Sequence, residues 1–114
     1  MRVYDATLPL MLLEGRPAMP QPLSAAAVAA ALCDLPGWSR DGDRLTRTFK
    51  FHHFKEAMGF LVRVGFEAES LNHHPELYNV YATVRVMLST HDAGDKITEK
   101  DIELAQRIQA FNWT

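Results

Sequence analysis

The stretch Glu69-Ser70-Leu71-Asn72-His73-His74-Pro75-Glu76-Leu77-Tyr78-Asn79-Val80-Tyr81 decides how the chain folds. Two histidines stand side by side where a helical apolar pattern runs out. Pro75 follows at once; it lacks an amide hydrogen and pushes its predecessor toward extended backbone, so the helix ends before it. A strand is expected over about Glu76–Tyr81. A second strand, Thr83–Thr90, leads to a third histidine in Ser89-Thr90-His91-Asp92. Three of the five histidines thus stand at element ends, where a rigid scaffold presents side chains to a ligand.

Upstream, Phe54, Ala57, Met58, Leu61, Val64, Ala68 and Leu71 recur at steps of three and four, which predicts a helix over Phe54–Leu71 with these residues in the core. Gly59 and Gly65 weaken it and are expected to allow close approach to a sheet. Glu69 lies four residues before His73 and shares its face if the helix reaches that far. His52 and His53 close the preceding strand and read as solvated. Leu45, Arg47, Phe49 and Phe51 alternate with Thr46, Thr48 and Lys50, and Asp41-Gly42-Asp43 is a turn signal, so Trp38 to Phe51 reads as a hairpin. Before it, the alanine-rich run from Ala25 to Cys33 predicts a first helix, capped by Ser24 and stapled by Leu23 and Val28. Leu35-Pro36-Gly37 ends it.

Downstream, Val84, Val86 and Leu88 alternate with Thr83, Arg85, Met87 and Ser89. That parity puts His91 on the side of Arg85, Met87 and Ser89. Asp92–Asp95 reads as a loop. Thr98, with Asp101 three residues on, is a weak form of the capping box for a last helix that buries Ile102, Ala105, Ile108 and Phe111.

The order is helix, two strands, helix, two strands, helix. It predicts an α+β two-layer domain: one four-stranded antiparallel sheet with helices packed on one face. The other face would need cover, which implies a homo-oligomer. The 114 residues are enough for one domain. Residues 19–114 are expected to form it, and residues 1–18 an N-terminal extension. Leu8–Leu13 is too short to span a membrane and lacks the flanks of a signal peptide. A net charge of −2 favours neither nucleic acid nor an anionic membrane. The single cysteine, Cys33, cannot form an internal disulfide; it is expected on an apolar helix face, and a reducing, cytoplasmic setting fits it.

An imidazole titrates near pH 6.5 and trades protons around neutrality, typically worth ~10²–10⁴ in rate. His73, His74 and His91, with Glu69 or Asp101 as orienting carboxylates, would suit a reaction that protonates a leaving group and deprotonates its neighbour. Two other readings stay open on the residues alone. The histidines could bond backbone at element ends, or they could hold zinc, although adjacent histidines seldom meet one metal and no HExxH or HxH occurs.

From about Leu23 to Phe111 the chain resembles the pterin-4a-carbinolamine dehydratase family. Its signature is an acidic residue, three positions, His-His-Pro, then an aromatic, then His, then Asp. Glu69, His73-His74-Pro75, Tyr81, His91 and Asp101 supply these in order, and Leu35-Pro36-Gly37-Trp38 adds to the match. The resemblance implies dehydration of a 4a-hydroxytetrahydropterin to the quinonoid dihydropterin, in recycling of tetrahydrobiopterin, with no metal and no bound cofactor. It implies His73 as the main acid/base, His91 acting from the other side of the substrate, and His74 binding and orienting the pterin. Pro75, Ser89 and Thr90 would line the pocket through backbone and hydroxyl contacts, and Glu69 and Asp101 would position the imidazoles. Leu77 stands where many relatives carry an aromatic ring, and the loop Asp92–Ile97 is slightly longer than in some members. The resemblance also implies a homodimer or homotetramer. Some members serve as dimerisation cofactors of a transcription factor, so a regulatory protein partner is the alternative reading.

Overall fold

The computed structural model describes residues 19–111. The expected extension, residues 1–18, lies outside the described residues. The elements are α1 (Ala25–Leu32), β1 (Ser39–Asp41), β2 (Arg44–Lys50), α2 (Phe54–Leu71), β3 (Glu76–Val80), β4 (Thr83–Leu88), a 3₁₀ turn (His91–Ala93) and α3 (Glu99–Ala110). The strands form one antiparallel sheet in the order β1-β2-β4-β3, as the α+β reading expects.

Strand register sorts the sheet into two faces. Phe49 pairs with Val84 and Leu45 with Leu88, and these four side chains are buried beneath the helices. Phe60 of α2 is the hinge of the core. Its ring lies 4.5 Å from that of Phe49, 5.1 Å from Phe51 and 5.8 Å from Phe111. Ala57, Val64 and Ala68 of α2 and Ile102, Leu104, Ala105 and Ile108 of α3 complete it. The segment before α1 docks through a bond from the Leu23 amide to the Ile97 carbonyl at 2.8 Å.

The opposite face carries the Thr48–Arg85–Tyr78 row and the Thr46–Met87–Glu76 row. It is laced with polar bonds: Arg85 reaches Thr46 Oγ1 at 3.2 Å and Asp41 at 3.0 Å, and Arg44 pairs with Glu76 at 3.3 Å. Exposed apolar groups gather instead on edge strand β3 and its turn, at Leu77, Tyr78, Val80 and Tyr81, and on the outside of α2, at Val62 and Phe66. The uncovered apolar surface thus lies more at an edge and a helix than across the sheet.

Several local expectations change. The buried stripe of α2 centres on Phe60, whereas Phe54 is more than half exposed. A helix start at Phe54 leaves that side chain in the first turn, with little overlying structure. Gly65 faces open space, so it permits no close approach. Cys33 caps α1 and is exposed, because the helix ends one residue before it and its apolar face is short. Met19 is exposed too. β4 stops at Leu88, since Thr90 leaves the sheet to bridge Lys96.

Candidate functional site

The site begins with how α2 ends. Asn72 takes a left-handed conformation, φ 51°, which asparagine tolerates better than most residues. The His73 amide then bonds Ala68 O at 3.0 Å and the Asn72 amide bonds Glu69 O at 3.0 Å, a Schellman closure. This reversal separates the paired histidines. His73 turns inward and is 8% exposed, while His74 turns out to solvent. Pro75 then commits the chain to β3.

The start of α3 meets His73 from behind. The capping box at Thr98 places Asp101 in the first turn, where the carboxylate faces inward with no exposure. Asp101 Oδ1 lies 2.5 Å from His73 Nε2. Its Oδ2 accepts the Thr98 amide at 2.9 Å and the Thr90 hydroxyl at 2.8 Å. A carboxylate only accepts, so Nε2 carries the hydrogen between them, and in the neutral ring Nδ1 then keeps its lone pair. Nδ1 has no bonding partner among the described residues.

A cleft opens beside this pair, lined by Asn72, His73, His74, Ser89, Thr90, His91, Asp92 and Lys100. The structure therefore brings His73, His74 and His91 to one concavity, with Ser89 and Thr90 in its wall. His91 opens the 3₁₀ turn, fully solvated, with Nδ1 3.2 Å from Asp95 Oδ1. Glu69 shares its bond with His74, at 3.2 Å, and not with His73. The Schellman turn breaks the i, i+4 spacing that a continued helix would give. Pro75 and Glu69 stand outside the lining, and Asp101 lies behind it. The Thr90 hydroxyl, expected to face the pocket, is engaged by Asp101 and by Thr98 Oγ1 at 2.6 Å.

Sequence reasoning gave Asn72, Asp92 and Lys100 no role of their own, and all three line the cleft. Lys100 had one readable signal: it neighbours Asp101 in the first turn of α3 and so falls near the same opening. Among the described residues no three His, Cys, Asp or Glu side chains stand where they could share a metal ion. His52 and His53 are exposed away from the cleft, and the His53 amide is bonded by Glu56 at 2.8 Å. No helix among the described residues is long and apolar enough to cross a membrane.

Known proteins resemble this chain in sequence and in fold. A relative from Opitutus terrae named for pterin-4-alpha-carbinolamine dehydratase is 52% identical over 95 residues, spanning 83% of this chain and 98% of its own. A crystal structure of a transcriptional coactivator/pterin dehydratase from Brucella melitensis superposes with a TM-score of 0.74 at 38% identity, over 78% of this chain and 96% of that one. A pterin dehydratase-like RuBisCO assembly factor of the alpha-carboxysome, 22% identical with a TM-score of 0.52 over 64% of this chain and 83% of that one, shares the fold alone. The family model for pterin 4 alpha carbinolamine dehydratase matches residues 21–111, and the chain belongs to that family.

Proposed function

We propose that this chain dehydrates a 4a-hydroxytetrahydropterin to the quinonoid dihydropterin by histidine acid/base catalysis, in recycling of tetrahydrobiopterin. The observation that carries the reading is the buried His73–Asp101 pair at the wall of a cleft that also holds His74 and His91. The reaction needs only proton traffic. The N5 lone pair forms the C4a=N5 bond as the C4a–O bond breaks. An acid protonates the departing oxygen, which leaves as water, and a base takes the N5 proton. His73 Nδ1 is the nitrogen available to the substrate, and Asp101 stabilises the imidazolium that forms. His91 serves from the other side of the substrate. His74, steadied by Glu69, binds and orients the pterin, with Ser89 and Thr90 contributing backbone contacts. The chemistry calls for no metal and no cofactor. The setting proposed is cytoplasmic.

The assembly proposed is a homodimer or homotetramer. Exposed Leu77, Tyr78 and Val80 on an edge strand support it, because an open apolar edge invites pairing. A regulatory protein partner is a second reading. The Brucella melitensis protein, named in part as a transcriptional coactivator, favours it.

The test is turnover of a synthetic 4a-hydroxytetrahydropterin by the purified protein, before and after dialysis against a strong chelator. Accelerated dehydration that survives the chelator is expected. A rate equal to the spontaneous one, or activity lost with a metal and restored by it, would overturn the proposal.

A further inference from the structure

The buried bonds behind His73 form a chain whose direction can be assigned atom by atom. The Lys100 amide can only donate, and it gives its hydrogen to Thr98 Oγ1 at 3.2 Å. Asp101 as a carboxylate can only accept. Thr90 Oγ1 lies 2.8 Å from Asp101 Oδ2, a contact between two oxygens that needs a hydrogen, and Thr90 supplies it. Thr90 has one hydroxyl hydrogen. At the 2.6 Å contact between the two threonines, Thr98 must therefore be the donor. The chain runs one way, from the Lys100 amide through Thr98 and Thr90 to Asp101. Thr90 and Thr98 are 3% and 1% exposed, so water does not compete for these hydroxyls.

We propose that Thr90 and Thr98 are positioning residues whose one-way hydrogen-bond chain pins Asp101 Oδ2 and so leaves Oδ1 as the acceptor for His73. Two donors hold Oδ2, the Thr98 amide and the Thr90 hydroxyl. They fix the carboxylate plane and the place of Oδ1. That place sets the ring plane of His73 and the direction in which Nδ1 looks into the cleft. With Thr90 removed, one donor remains on Oδ2 and the carboxylate can rotate about its Cβ–Cγ bond. The His73 ring loses its fixed bearing, and a misplacement of about 1 Å in a reacting group can cost 10²-fold in rate. The role differs from the pocket contact expected of the Thr90 hydroxyl. Thr90→Val nearly keeps the shape and leaves the Thr98 amide on Asp101 Oδ2, while the Thr98 hydroxyl loses its acceptor.

The kinetic arm of this inference rests on the proposed dehydratase reading, whereas the spectroscopic arm needs no substrate. Nitrogen and proton NMR of the histidine rings in the full chain should show His73 as one tautomer with its hydrogen on Nε2, far downfield for so short a bond. In Thr90→Val that proton resonance should broaden and move upfield, and in Thr90→Ser it should stay. Turnover should fall about ten- to a hundredfold in Thr90→Val with KM little changed, and Thr90→Ser should restore it. If Thr90→Val does not fold, Thr90→Cys, near in size with a weak thiol donor, should shift the resonance part of the way. A wild-type His73 hydrogen on Nδ1 would overturn the inference. So would a folded Thr90→Val or Thr90→Cys with the wild-type resonance. A protein without turnover whose resonance still follows the hydroxyl at position 90 would uphold the positioning role and refute the dehydratase reading.

Discussion

Replacing Asp101 by asparagine separates the chemistry of the site from its structure. Asn keeps the shape and one oxygen, which can still accept the Thr98 amide and the Thr90 hydroxyl that now bond Oδ2. Its amide group then faces His73 Nε2 and can only donate. His73 must accept there and carry its hydrogen on Nδ1, so the nitrogen that should take a proton from the substrate already holds one. The favourable charge beside an imidazolium is also gone. Loss of one acid/base group is worth ~10²–10⁴ in rate, and the upper half of that range is expected because both effects act together. Alanine would be a poorer test. It strands the Thr98 amide, the Thr90 hydroxyl and His73 in a buried site, at about 1–3 kcal/mol each, against a total stability of about 5–15 kcal/mol. The assay is stopped-flow formation of the quinonoid product, with circular dichroism melts alongside. Asp101→Asn should fold, bind substrate with KM within a few-fold, and lose turnover by about 10³-fold or more. A folded Asp101→Asn with turnover within threefold of wild type would refute the reasoning, whatever the melts show.

Other outcomes follow from the packing and the charges. Phe60→Ala empties the point where three other aromatic rings meet, and it should cost about 3–5 kcal/mol in urea melts; a loss under 1 kcal/mol would mean the core does not rest on that ring. The Lys96 ammonium, hydrogen-bonded at 2.8 Å, holds the Asp43 carboxyl below the usual carboxylate range against a smaller opposing effect of burial. A lowered folded value means the pair stabilises at neutral pH and ceases to do so as pH falls through that range. Asp43→Asn should therefore melt slightly earlier than wild type at pH 7, with the gap closing in acid; a gap that persists in acid would reject the pair as its source. Light scattering at micromolar concentration should return a dimer or tetramer mass, and a protein that stays monomeric at high concentration would refute the proposed assembly.

Much of this fold is legible because local signals agree. Ser24 caps α1 through the Ala27 amide at 3.1 Å, and α2 spans Phe54–Leu71 as its periodicity predicts. The alternation of Val84, Val86 and Leu88 fixes which face of β4 is buried. What periodicity leaves undetermined is rotation about a helix axis. The expected α2 stripe and the observed one differ by the placing of Phe54 and Phe60, and only the sheet beneath decides between them. The site is legible in its histidines and less so in their partners. Glu69 reads as a neighbour of His73 only while the helix is imagined to continue; the left-handed Asn72 hands it to His74. Thr98 reads as a cap, and so it is, but a cap bond cannot reveal that its hydroxyl also reaches Thr90. Lys100 and Asp92 line the cleft through the meeting of α3 with the 3₁₀ turn, a tertiary fact whose only local trace is that each neighbours a site residue, Asp101 or His91.

The account stands or falls on His73 as the proton carrier. The most direct measurement is the turnover of wild type, His73→Ala, His91→Ala and the double variant on one 4a-hydroxytetrahydropterin, each shown to be folded. The account predicts a loss on the order of 10²-fold or more for His73→Ala, a smaller loss for His91→Ala, and the largest for the pair. Full activity in the double variant would contradict it.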